Sequence, residues 1–150
     1  MDLPVDTPKK IKAPKRLRGI LDGLKPLEVY EGVDDLIVVL KNQSQVEKIQ
    51  PNFPMLAALK QHRGLLVTAP GKEHDFVSRC FFPAYGINED PVTGSAHTVL
   101  TPLWASKLDK KKLKAKQVST RGGELTCQLM GKKVRITGRA VTYMEGRLIV

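Results

Sequence analysis

The stretch Ser95-Ala96-His97-Thr98-Val99-Leu100-Thr101-Pro102-Leu103-Trp104-Ala105-Ser106-Lys107-Leu108 decides the fold. Its apolar residues Ala96, Val99, Leu100, Leu103, Trp104, Ala105 and Leu108 cover most of a helix's circumference. A helix with no face suited to water belongs inside something. Pro102 is the objection: an interior proline removes one backbone hydrogen bond and crowds the preceding turn, which predicts a kink or an irregular first half.

Around this helix the sequence reads mostly as strand. Residues 27–31 and 35–41 form a hairpin pattern joined by Gly32-Val33-Asp34. Residues 43–49 and 54–62 have the apolar spacing of short helices, separated by Pro51 and Pro54. Strand patterns return at 64–69 and 75–82, the latter ending at Pro83. After the helix, 118–120, 125–130, 133–137, 140–144 and 147–150 read as strands punctuated by Gly122-Gly123, Gly131, Gly138 and Gly146. Strands on both sides of one apolar helix predict an α+β domain, a curled and mostly antiparallel sheet wrapped around residues 95–108. Residues 1–25, basic and broken by Pro4, Pro8 and Pro14, read as a lead-in outside the core that includes a linking strand; residues 26–150 read as one barrel domain without an internal repeat.

Composition narrows the function classes. A chain of 150 residues with 41% apolar content can build one real core. The net charge of +10 raises polyanions as partners, carried by Lys9-Lys10-Ile11-Lys12, Lys15-Arg16-Leu17-Arg18 and the run 107–116. Such runs are usually solvated faces, and at 5% aromatic content no rings interleave them for base stacking, so nucleic acid is not an expected partner. The longest aliphatic run, Leu36-Ile37-Val38-Val39-Leu40, is far short of the ~20 residues that cross a bilayer. With no secretory or transit pattern at Met1-Asp2-Leu3-Pro4-Val5-Asp6-Thr7-Pro8-Lys9-Lys10, a cytoplasmic location is the default expectation. Cys80 and Cys127 read as buried free thiols, and no ligand spacing for a metal occurs.

Chemistry concentrates in Gly86-Ile87-Asn88-Glu89-Asp90-Pro91-Val92-Thr93-Gly94-Ser95-Ala96-His97, where two acids precede a Gly-Ser pair at the start of the buried helix. The first N–H groups of a helix lack internal partners and carry partial positive charge, so Gly94, Ser95 and Ala96 could hold a carboxylate or phosphate. Read locally, the same residues also suit an ordinary cap, with Thr93 or Ser95 accepting from the next turn. Glu89 and Asp90 are neighbours; on an extended segment they point to opposite sides, and Asp90, nearer the helix, is the better candidate to face a pocket. Its carboxylate could accept a hydrogen bond from a substrate amine, hydroxyl or acidic C–H, or serve only the cap. His97, in the first turn, is expected to be neutral.

These segments, with Arg79-Cys80-Phe81-Phe82-Pro83 before them and Leu103-Trp104-Ala105 and Gln117-Val118-Ser119-Thr120-Arg121-Gly122-Gly123-Glu124 after them, resemble in order and spacing the second half of the phenazine-biosynthesis (PhzF-like) isomerase family. The resemblance implies a fold similar to diaminopimelate epimerase, in which two pseudo-symmetric halves each wrap a barrel around a central helix and the site lies between them. It implies proton transfer without a cofactor or metal on a small carboxylic acid, such as isomerisation of a dihydro-hydroxyanthranilate. By motif position Asp90 matches the family's active-site aspartate, and Gly94 and Ser95 match the pair whose N–H groups bind the substrate carboxylate; Ala96 and His97 complete the expected substrate-binding set. No cysteine stands in the 86–97 loop, which disfavours a two-thiol racemase mechanism. Asp2-Leu3-Pro4 resembles the strand that closes the family's first half. The first-half glutamate and the second Gly-His loop have no counterpart in these residues, so the expected partner is a second copy or a complementing first half. The alternative is a protein-interaction domain that keeps the barrel without catalysis.

Overall fold

A computed structural model describes residues 1–149. Ten strands form one sheet in the order β1 (Asp2–Pro4), β10 (Lys133–Thr137), β9 (Gly123–Met130), β8 (Lys112–Gln117), β6 (Phe76–Phe82), β5 (Gly64–Pro70), β4 (Asp35–Val39), β3 (Glu28–Glu31) and β2 (Lys9–Lys10), with β7 (Ile87–Asp90) paired to β6. Every pairing is antiparallel except β4 with β5 and β6 with β8. Those two parallel steps need crossovers. The first carries α2 (Gln43–Lys48) and α3 (Phe53–Ala57). The second carries α4 (Ala96–Leu108), and the sheet curls around it. The expected α+β class, a mostly antiparallel sheet wrapped on one helix, is what the chain adopts.

β4 and β5 are buried on both faces. Ile37, Val39 and Leu66 pack inward against Val99, Leu100, Leu103 and Trp104 of α4, together with Phe76, Leu113, Cys127 and Val134. Leu36, Val38, Leu65 and Val67 face outward into a second core formed with Val46, Ile49 and Leu56 and with Leu17, Ile20 and Leu21 around α1 (Leu17–Ile20). Residues 17–21 are therefore core, not the uncommitted lead-in that their basic, proline-broken surroundings predict. Inside the barrel the Trp104 indole stacks on Phe76 and donates to Thr68 Oγ1 at 2.9 Å, which in turn donates to the Val77 carbonyl at 2.7 Å.

The proline does not break α4. Pro102 has no N–H to give to the carbonyl four residues back, and that carbonyl, of Thr98, instead accepts the Asp6 N–H at 3.2 Å. The partner comes from the N-terminal segment, whose β1 pairs with β10 in register Leu3↔Val134 and whose β2 pairs with β3. One short stretch thus touches both edges of the sheet, and its β1 pairs within this barrel, whereas the resemblance makes Asp2-Leu3-Pro4 the strand that closes the family's first half.

Four predicted elements differ: one is displaced, one is shorter and two do not form among the described residues. The strand expected at 118–120 lies one segment earlier, at Lys112–Gln117: in the lysine run Leu113, Ala115 and Gln117 point inward while Lys112 and Lys114 face solvent. The helix expected over 54–62 spans only Phe53–Ala57. Residues 140–144 and 147–149 form no strand, because no neighbouring strand pairs with them, and Val150 lies outside the described residues.

Candidate active site

The candidate site forms where the edge of β6 changes neighbour. Its first residues pair with β8, up to Ser78↔Gln117; its last pair with β7, through Cys80↔Asp90 and Phe82↔Ile87 with an irregular register between them. Asp90 ends β7 and Gln117 ends β8, so two strands leave one edge and the segment 91–95 bridges the split into α4.

Gln117, fully buried, holds that segment. Its amide nitrogen donates to the Asp90 carbonyl at 2.6 Å and to Thr93 Oγ1 at 3.1 Å, and its amide oxygen accepts the Thr93 N–H at 2.8 Å. Thr93 Oγ1 then donates to Asp90 Oδ2 at 2.5 Å. One carboxylate oxygen of Asp90 is fixed by this chain, while among the described residues nothing in the molecule bonds to Oδ1. From behind, Ser119 Oγ donates to the Pro91 carbonyl at 2.7 Å and accepts the Gly122 N–H at 3.0 Å. Gly122 turns there with φ of +69°, and Gly123 lies so close to Val92 that a Cβ would collide with it, so both glycines are structural.

At the start of α4, Ser95 occupies the cap position with helical backbone angles and gives no side-chain cap. Thr93, the other capping candidate, spends its hydroxyl on Asp90. The His97 N–H donates to the Gly94 carbonyl and the Thr98 N–H to the Ser95 carbonyl, both at 3.1 Å, whereas the N–H groups of Gly94, Ser95 and Ala96 have no acceptor among the described residues. A Cβ built on Gly94 meets nothing within 4 Å, so the space beside Gly94, the first of these donors, is open. They can receive an anion of carboxylate size, next to a carboxylate with one uncommitted oxygen.

Glu89 and Asp90 do diverge. Glu89 takes Arg79 in a bidentate pair, 2.6 Å to Nε and 2.9 Å to Nη2. Arg79 Nη1 donates to the carbonyls of Val46, Glu47 and Ile49, closing the C-terminal end of α2, and the guanidinium lies over Phe81. Glu89 neutralises a buried cation and is unavailable to a ligand.

The side chains of Ala96 and His97 do not reach the split; the role expected of Ala96 rests on its backbone N–H and not on its side chain. Both are fully buried inside the barrel, because the first turn of α4 already presents them to the core. His97 Nδ1 lies 2.7 Å from the Thr93 carbonyl and must donate to it, so Nε2 is the lone-pair nitrogen, buried without a partner. Burial lowers the His97 pKa against the opposing pull of that carbonyl, which keeps the imidazole neutral. Cys80 stands across from Asp90 in the sheet, yet its thiol is buried and burial pushes its pKa far up; burial also raises Cys127, to about 11. Neither is a thiolate nucleophile at neutral pH.

Known proteins share much of this sequence and this fold. The family model for phenazine biosynthesis-like proteins matches residues 4–146. The chain belongs to the phenazine biosynthesis-like (PhzF) family. It is 46% identical over 148 residues to an uncharacterized isomerase of Pseudomonas aeruginosa, covering 99% of this chain and 56% of that protein. It is 43% identical over 117 residues to the mouse phenazine biosynthesis-like domain-containing protein 2, covering 71% and 41%. A crystal structure of a PhzF-family phenazine biosynthesis protein from Enterococcus faecalis superposes with a TM-score of 0.92 at 44% identity, over all of this chain and 57% of that one. The chain thus spans 56% of the Pseudomonas protein, 57% of the Enterococcus one and 41% of the mouse one.

In this PhzF barrel the residues that hold the site, Thr93, Gln117 and Ser119, lie within the motifs that carry the resemblance, but nothing in those motifs marks their roles. One signal was present: reading 112–117 as a strand puts Leu113, Ala115 and Gln117 on the inward face, and a polar residue in an otherwise apolar row asks for a buried partner.

Proposed function

We propose that this chain is the C-terminal half of a PhzF-type isomerase that moves a C–H proton on a small carboxylic acid. The supporting observation is the adjacency just described: three unclaimed N–H groups at the start of α4 beside an Asp90 with one oxygen anchored and the other free. In this reading the N–H groups of Gly94, Ser95 and Ala96 hold the substrate carboxylate, which fixes the neighbouring carbon over Asp90. Asp90 Oδ1 takes the C–H proton, the electron pair enters the adjacent π system, and a carboxylic acid returns a proton at another carbon, so substrate and product differ only in the position of one hydrogen. The side chains supply this chemistry without a cofactor. Thr93 keeps Asp90 oriented, and Gln117 keeps Thr93 in place. The second acid/base group comes from a facing half, supplied by a complementing first half or a second copy of this chain.

The test is solvent exchange. The protein, alone and mixed with the first half of the Pseudomonas relative, is incubated in D2O with a dihydro-hydroxyanthranilate, and deuterium uptake at carbon is followed by mass spectrometry. Uptake is expected in the mixture and is expected to fall at least about 100-fold in Asp90→Asn, within the usual contribution of an acid/base group. Equal uptake by Asp90→Asn would remove Asp90 from the reaction.

A further inference from the structure

Arg63 lies immediately before β5, beside the first residue of β4, and its guanidinium reaches Ser95 at the start of α4. Its Nε and Nη2 donate to the two carboxylate oxygens of Asp35 at 3.1 and 2.5 Å, and Nη2 also lies 3.3 Å from Ser95 Oγ. Asp35 is 4% exposed, so this is an inner carboxylate, set opposite Gly64 in the sheet register. The guanidinium rests over the Phe82 ring at 5.2 Å, a ring that fits there only because Gly64 carries no side chain. The Arg63 N–H is in turn anchored on the Asp34 carbonyl at 2.6 Å. A fork held at this many points is not a loose surface arginine.

We propose that Arg63 is a positioning residue for Ser95, turning its hydroxyl into a fourth donor for a substrate carboxylate. The proposal rests on the reading of Gly94, Ser95 and Ala96 as the carboxylate cradle. Guanidinium nitrogens only donate, so Nη2 takes up a lone pair of Ser95 Oγ and leaves that hydroxyl's hydrogen directed elsewhere. No acceptor among the described residues receives it, and Ser95 is exposed beside the three free N–H groups. Three amides and one hydroxyl make four donors, which matches the roughly four lone-pair positions of a carboxylate. Asp35 neutralises Arg63, so the guanidinium orients the hydroxyl without itself capturing the anion.

The experiment is amide NMR on the 15N-labelled protein titrated with 3-hydroxyanthranilate, a stable aromatic carboxylate. Saturable shifts are expected at Gly94, Ser95 and Ala96. Ser95→Ala is expected to weaken binding about three- to tenfold, the loss of one hydrogen bond to a charged ligand. Arg63→Gln in the native background is expected to weaken it by a similar factor, and in the Ser95→Ala background by less than about twofold, since coupled residues are not additive. Should Arg63→Gln leave Asp35 unpaired and disturb folding, Arg63→Gln with Asp35→Asn removes both charges and gives the same comparison. An equal effect of the Arg63 change with and without Ser95 would overturn the positioning role. Binding that is abolished by Gly94→Val but indifferent to Arg63→Gln would overturn it too and leave the cradle standing. Absence of any shift in the native protein would overturn the cradle and the inference together.

Discussion

Residues 89 and 90, one peptide bond apart, hold their carboxylates in different surroundings. Glu89 faces a buried guanidinium that already has three carbonyl partners, so Glu89→Gln leaves a cation without its counter-charge in the interior. Urea unfolding of that variant is expected to show a loss of roughly 2–3 kcal/mol. Asp90→Asn is isosteric and can still accept from Thr93 through its amide oxygen, so the same measurement is expected to show a change below about 1 kcal/mol. The reverse order of the two losses would mean that Asp90, not Glu89, holds the fold here. Gly94 is the complementary case. Its backbone is not in the left-handed region and its missing Cβ faces open space, so Gly94→Val should fold normally while covering the N–H groups and blocking carboxylate binding in the NMR titration. The divergence of two adjacent acids was legible from strand geometry alone, and so were the unclaimed N–H groups at the start of α4, since both depend on local backbone. His97 was not, because which way a first-turn side chain points depends on where the barrel wall stands; the expected neutrality arises from burial more than from the helix dipole.

At the scale of elements, legibility followed the period of the pattern. β4, β5 and β9 carry long apolar or alternating runs and lie close to their expected positions, whereas the lysine run hid β8, because three outward lysines on six residues read as a solvated face until the inward row is isolated. Pro102 misled for a different reason. Its cost is an orphaned carbonyl, and the Asp6 N–H that removes the cost comes from a segment nearly a hundred residues away, invisible to any local reading. The C-terminal end of α4 is tied by charge: Glu28 on β3 accepts from Lys107 of α4 and from Lys10 of β2, at 2.7 Å in the latter case. Hydrogen bonds from Lys10 and Lys107 lower the Glu28 pKa from 4.5 to about 2. A carboxylate depressed in the folded state contributes stability that is complete above the unfolded value and is lost as pH falls through the folded one. Native stability should therefore drop between about pH 4.5 and 2. Lys10 is 63% exposed and solvent screens that arm, so the Glu28 share is about 1–2 kcal/mol. Thermal unfolding of Glu28→Gln is expected to show a correspondingly smaller loss across that window; an unchanged pH dependence would mean that the three-element tie contributes nothing.

For the molecule as a whole, the barrel is self-sufficient on one side and unfinished on another. The N-terminal segment pairs at both edges of the sheet through β1 and β2, and two cores fill the inside of the sheet and its outer helical layer. Beyond β10, however, Val141, Tyr143, Met144, Leu148 and Ile149 are each at least 80% exposed within nine residues. Single exposed apolar residues are ordinary, but five in one short stretch with unpaired backbone form the kind of strip that a soluble surface rarely leaves bare. Alternate residues Val141 and Tyr143 would share one face of an added strand, which explains why the sequence predicts strands at 140–144 and 147–150 that this barrel alone does not contain. If a second copy of this chain covers that strip, the same segment serves both copies and the contact is isologous. Sedimentation across roughly 5 to 200 μM, the range in which modest apolar contacts saturate, is expected to show reversible association of the native chain. Tyr143→Ser with Leu148→Ser and Ile149→Ser removes most of the apolar strip without touching either core, and is expected to hold the protein monomeric with its unfolding midpoint unchanged. A native chain that stays monomeric over that range would show that the strip does not drive self-association, and persistence of the dimer in the triple variant would place its interface elsewhere on the barrel.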